Sequence, residues 1–159
     1  MVDNPLSANF TLAELTHSDT AIAKGINNTP EPWQLANMRD HLAPCAESAR
    51  TILLNNSILV SSGLRVSALN AVIPGSSDDS AHTKGYAIDF TCPKFGAPWD
   101  VCQKLVNSDL KFDQIIYESA KGRYGKLTIW VHLSADPRQR MMILTKMPGQ
   151  PYRSGLHRS

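Results

Sequence analysis

Ser80-Ala81-His82-Thr83-Lys84-Gly85-Tyr86-Ala87-Ile88-Asp89-Phe90 is the densest stretch of the chain. The spacing predicts a strand over residues 86–91, entered through a tight turn at Gly85, where the missing Cβ permits the bend. Alternation along that strand turns Tyr86, Ile88 and Phe90 to one face and Ala87 and Asp89 to the other. The first face is apolar and should meet a core. Asp89 then stands opposite it, in mid-strand, and the turn at Gly85 can fold His82 back towards it. A second stretch, Leu127-Thr128-Ile129-Trp130-Val131-His132-Leu133-Ser134, alternates in the same way. Its aliphatic residues share one face, while Thr128, Trp130, His132 and Ser134 share the other. Taken singly, each of these is as readily a loop histidine, a strand carboxylate or a half-buried strand histidine. Together, two imidazoles and one carboxylate match a known kind of catalytic zinc site, in which a fourth position stays open.

Outward from these strands, the amino-terminal third reads as helical. Thr11 and Glu14 have capping-box spacing at the head of a short amphipathic segment over residues 7–15. Thr29 is a plausible N-cap ahead of Pro30 and Pro32, and apolar residues from Leu35 to Leu53 keep the helical period. Pro44 interrupts that run and predicts a kink or two shorter helices. Further strands are expected over 58–62, 112–119 and 141–145, with a helix over 99–107 and a hairpin loop over 120–126. The fold class expected is α+β: a single domain over residues 1–147, with N-terminal helices packed on a small antiparallel sheet that carries the site. Residues 148–159 read as a loose basic tail.

Composition narrows the function. At 159 residues, 42% hydrophobic and 19% charged, the chain can bury a core without staples. A net charge of +2, with no basic stripe beside interleaved aromatics, argues against a nucleic-acid partner. No apolar run is long enough for membrane insertion. The amino terminus shows no basic region followed by an apolar one, so synthesis in the cytoplasm without a signal peptide is expected. Cys45, Cys92 and Cys102 have neither zinc-knuckle nor CxxC spacing and are read as three free thiols.

Several strings together resemble the D-Ala-D-Ala carboxypeptidase family of zinc peptidases: Ser61-Ser62-Gly63-Leu64-Arg65, Leu69-Asn70, Ser80-x-His82-x-x-Gly85-x-Ala87-x-Asp89-Phe90 and Trp130-Val131-His132. The nearer likeness is to the bacteriophage and bacterial branch that contains peptidoglycan endopeptidases and endolysins. Leu6-Ser7-x-x-Phe10-Thr11-Leu12-x-Glu14-Leu15 and Asn28-Thr29-Pro30 add to it, so the resemblance spans roughly residues 6–145. It implies one Zn²⁺ per chain held by His82, Asp89 and His132, with Arg65 binding the substrate or polarising its carbonyl. Ser80 is implied as a support for the loop or the substrate. The implied activity is hydrolysis of peptidoglycan stem peptides, of the L-Ala-D-Glu endopeptidase or D-Ala-D-Ala carboxypeptidase type. A phage lysis enzyme would reach the wall only after holin- or lysis-dependent release. A zinc-bearing wall-binding module without catalysis, or a phage virion or assembly component, are the alternatives.

The proton acceptor does not carry over directly. Many family members have a carboxylate three residues before the last histidine, where this chain has Ile129. The nearest upstream carboxylates are Asp113 and Glu118. Tyr117-Glu118-Ser119 resembles a stretch in the zinc-bearing domain of hedgehog proteins, superfamily relatives with a glutamate at the metal. Glu118 is the expected base and Asp113 the alternative, the choice turning on a strand register that alternation alone leaves open.

Overall fold

The alternation read in the two ligand-bearing strands holds in the computed structural model, which describes residues 4–158. The amino-terminal part supplies α1 (Leu12–Thr16), α2 (Asp19–Lys24), α3 (Pro32–Asn37) and α4 (Ala43–Ile52). After β1 (Leu59–Ser62) and a single helical turn, α5 (Ser67–Asn70), the chain reaches β2 (Ala87–Thr91) and α6 (Pro98–Val106). Then follow β3 (Gln114–Lys121), β4 (Leu127–Ser134), β5 (Met142–Lys146) and the two-residue β6 (Arg153–Ser154).

Six strands form one sheet in the order β1-β2-β4-β3-β5-β6. Register explains why one face is dry. Ile88 lies opposite Leu133 and Phe90 opposite Val131, while Ile115 and Tyr117 of β3 meet the same two β4 residues from the other side. This face packs on Leu15 of α1, Ala46 and Ala49 of α4, and Val101 and Leu105 of α6 in one continuous core. Each Val, Leu, Ile or Phe side chain among these contributes about 1.5–3 kcal/mol on full burial.

The sheet is mixed: β5 runs parallel to β3, whereas the other pairings are antiparallel. The cause is a crossing at the end of β4. That strand finishes beside the start of β3, and the chain passes over this end before β5 begins there. Asp113 secures the crossing, accepting from the backbone N–H of Arg140 at 3.0 Å and from its guanidinium at 2.9 and 2.7 Å.

Pro44 acts one turn ahead of itself. Residues Met38–Leu42 form a π-helical turn, with Ala43 N–H bonded to Met38 O, so α3 and α4 join through a widened turn instead of separating. Glu31, rather than Thr29, precedes α3, its N–H donating to Gln34 Oε1 at 2.8 Å. The carboxy-terminal stretch, expected as a loose tail, contains β6. Gly155 N–H bonds Ile143 O at 2.8 Å, and His157 N–H bonds Thr145 Oγ1 at 2.9 Å.

Cys45, Cys92 and Cys102 are free and buried, and burial pushes the thiols of Cys45 and Cys102 up to about 12. Among the described residues, no helix is long and apolar enough to cross a membrane.

Candidate metal centre

Asp89 pairs across β2 and β4 with His132, so both side chains leave the sheet on the face away from the core. His82 reaches them from a 3₁₀ turn, Ala81–Lys84, which Gly85 closes at φ +76°. Gly85 is required twice over, because a Cβ there would also sit 2.7 Å from Gln34 O. His82 Nε2 lies 3.2 Å and His132 Nδ1 3.0 Å from the same oxygen, Asp89 Oδ1. One ligand atom from each residue falls within 4.8 Å of the others, and all three residues are buried.

The protonation pattern decides what this cluster wants. His82 Nδ1 is 2.7 Å from Gly63 O. A carbonyl only accepts, so Nδ1 carries the proton and Nε2 offers a lone pair. Burial lowers the pKa of His82 against the pull of Asp89, favouring the neutral ring. Asp89 is held the other way: burial would raise it, but His82 and His132 keep it well below the carboxylate range. With Nδ1 turned to Gly63 O, Nε2 is the atom that His82 presents to Asp89 Oδ1, at 3.2 Å, and a cation between the two could be bound by both. The separations themselves fit, since ligands bound tetrahedrally at ~2.0–2.1 Å lie about 3.3 Å apart. The Nε2 atom of His132 is a buried polar atom without a partner among the described residues. Burial works against charge on His132, yet its hydrogen bond to Asp89 and the charges of Asp89 and Glu118 raise its pKa. Two imidazoles and a carboxylate thus fit a divalent zinc ion, with Gly63 O orienting the first ligand.

Around this centre lies a cleft of about 910 Å³ whose lining includes Arg65, Ser80, Asp113, Glu118 and Trp130. Arg65 Nη2 is 3.3 Å from Asp89 Oδ2, and its Nε donates to Ser62 Oγ at 3.1 Å. Ser80 Oγ accepts from the His82 backbone N–H at 3.3 Å and so caps the 3₁₀ turn. Glu118 lies opposite Trp130, two residues along β3 from Ile116, which lies opposite His132. This register puts Glu118 on the same face as Asp89 and His132. Its Oε2 accepts from Trp130 Nε1 at 3.2 Å. Burial, then the charge of Asp89, raises the Glu118 carboxyl above its ordinary range. Asp113 lies just before β3 with its carboxylate committed to Arg140, and that pair lowers its pKa despite burial.

Two supports escaped the sequence reading. Asn28 donates to Thr16 O and Leu64 O, each at 2.8 Å, and accepts from Val66 N–H, tying the amino-terminal helices to the Arg65 loop. Gly63 supplies the carbonyl that orients His82, and a Cβ at this position would meet Leu15 O at 2.2 Å. Gly63→Ala therefore forces α1 and the Gly63 carbonyl apart. Loss of such an outer partner weakens metal affinity by about 10–100-fold. Competitive zinc titration of the folded variant should read a drop of that order together with a lowered Tm; wild-type affinity would show that the carbonyl does not set the ligand.

A family model described as Peptidase M15 matches residues 8–134. No curated protein and no solved structure matches the chain.

Proposed function

This chain belongs to the peptidase M15 family, and on that premise we propose that it hydrolyses peptide bonds of bacterial peptidoglycan stem peptides with zinc held by His82, Asp89 and His132. The observation that carries the reading is the convergence of His82 Nε2 and His132 Nδ1 on the buried Asp89 Oδ1, at 3.2 and 3.0 Å. A zinc ion bound there would act as a Lewis acid on the scissile carbonyl and lower the pKa of water from 15.7 to about 7. Glu118 accepts the proton of the attacking water and returns it to the leaving amine. Its position on the ligand face of β3 supports that role, and Asp113 is disfavoured because Arg140 already holds its carboxylate. Arg65, with a side chain only 14% exposed and its guanidinium beside Asp89, holds the substrate carbonyl and stabilises the developing oxyanion. Ser80 keeps the His82 turn in shape at the cleft wall and touches substrate there.

The finer assignment is an endopeptidase of the L-Ala-D-Glu type, acting in phage-driven lysis once released to the wall. A half-buried carboxylate on the face of the metal ligands, Glu118, favours hydrolysis over zinc-dependent wall binding, since a binding module has no need of a base. Mass spectrometry of muropeptides after digestion with the zinc-loaded protein tests the proposal. A new amino terminus on D-Glu supports the endopeptidase, and loss of a terminal D-Ala would make it a carboxypeptidase. An unchanged muropeptide profile with retained binding to the wall would overturn hydrolysis.

A further inference from the structure

The family match ends at residue 134, yet the cleft continues beyond it. Across the polar face of the sheet, Trp130 of β4 lies opposite Glu118 of β3, and Glu118 lies beside Lys146 of β5. Arg153 pairs with Thr145, so Tyr152, one residue earlier, comes alongside Lys146. Three neighbouring strands and the residue that leads into β6 thus carry one row: Trp130, Glu118, Lys146, Tyr152. Lys146 is tied down within it. Its Nζ donates to Met147 O and Gln150 O and lies 5.6 Å from the centre of the Tyr152 ring. The turn between β5 and β6 is thereby stapled, and Met147, Pro148 and Tyr152 form an apolar wall of the cleft. Tyr152 stays 55% exposed while lining the cleft, so part of its ring is open to whatever enters there. Its phenol also feels the site: burial first, then the charges of Glu118 and Asp89, raises its pKa.

We propose that Tyr152 is a substrate-binding residue, taking an extended peptide about four residues away from the bond that is cut, and that Lys146 is the residue that positions it. The spacing follows from the sheet. Three strand separations of about 4.8 Å part β4, which carries His132, from β6, roughly 14 Å, and an extended peptide advances about 3.3 Å per residue. The occupant is a peptide lying across the strands, with a small or apolar side chain against the ring. The inference rests on the peptidase reading above and deepens it, because it sets a minimum length for a good substrate.

The test compares a full-length synthetic stem peptide with one shortened to a single residue on either side of the scissile bond. Zinc-loaded wild type should favour the long peptide through KM. In Tyr152→Ala this preference should fall on the order of tenfold. Tyr152→Phe should restore it, since the ring is the contact, and Lys146→Met should fall between. Equal losses on long and short peptides, or no loss in Tyr152→Ala, would overturn the assignment. Calorimetric titration of the long peptide into Glu118→Gln protein, with and without Tyr152→Ala, needs no turnover. Weaker binding in the double variant supports the wall even if the wild type cleaves no stem peptide, and identical binding refutes it whatever the wild type cleaves.

Discussion

Glu118→Gln is expected to keep its zinc and its fold while kcat falls by roughly 10²–10⁴-fold, the usual contribution of a positioned general base. The amide preserves size and can still meet Trp130 Nε1, so the site loses a proton acceptor and little else. The pH profile supplies a second readout. Burial and the charge of Asp89 raise the Glu118 carboxyl, so on acidification it is protonated earlier than an exposed glutamate. With zinc bound the charge of the ion opposes that rise, so the readout is an acid limb of kcat/KM that is present in the wild type and absent from the residual rate of Glu118→Gln. Asp113→Asn is the contrast. It breaks the fork with Arg140 at the β4–β5 crossing and should lower Tm far more than turnover per folded molecule. If Glu118→Gln stays active and the folded, zinc-loaded Asp113→Asn does not, the base has been misassigned.

That choice of base marks where the sequence runs out. Alternation alone identified the faces of β2 and β4, because each strand has aliphatics on one side and a single ligand-type residue on the other. It placed Glu118 with Gln114 and Ile116, but not whether that side carried the metal ligands. The answer needed the pairing of Ile116 with His132 and of Glu118 with Trp130, which is a long-range fact. Short elements were hidden for a related reason. The six residues of α2 and the two of β6 are too few to establish a period, and each depends on contacts from elsewhere in the chain. The parallel partnership of β3 and β5 follows from the Asp113–Arg140 lock at the crossing, which no local pattern announces. Gly63 is the sharpest case. Its role is carried by a backbone carbonyl, which every residue type possesses, and by a missing Cβ that only the approach of Leu15 makes necessary.

His82→Ala and His132→Ala should each lose essentially all bound zinc, and the loss should be visible in stability as well as in metal content. Zinc bound to the folded state alone stabilises it by RT ln(1 + [Zn]/Kd), about 4.1 kcal/mol at a thousandfold excess over Kd. For a domain of this size each kcal/mol moves Tm by about 2–4 °C, so chelation should lower the wild-type Tm by roughly 10 °C. Neither histidine variant should respond to chelator, because neither holds the ion in the first place. The direction follows from the charges. Without the ion, Asp89 is a buried anion compensated, among the described residues, by Arg65 and the two imidazoles. With the ion, the same three donors become ligands and their convergence within 4.8 Å is relieved instead of endured. Metal analysis beside differential scanning calorimetry reads both effects on one sample. Stoichiometric zinc in both variants, or a wild-type Tm indifferent to chelator, would remove the cation from this site and the hydrolytic reading with it.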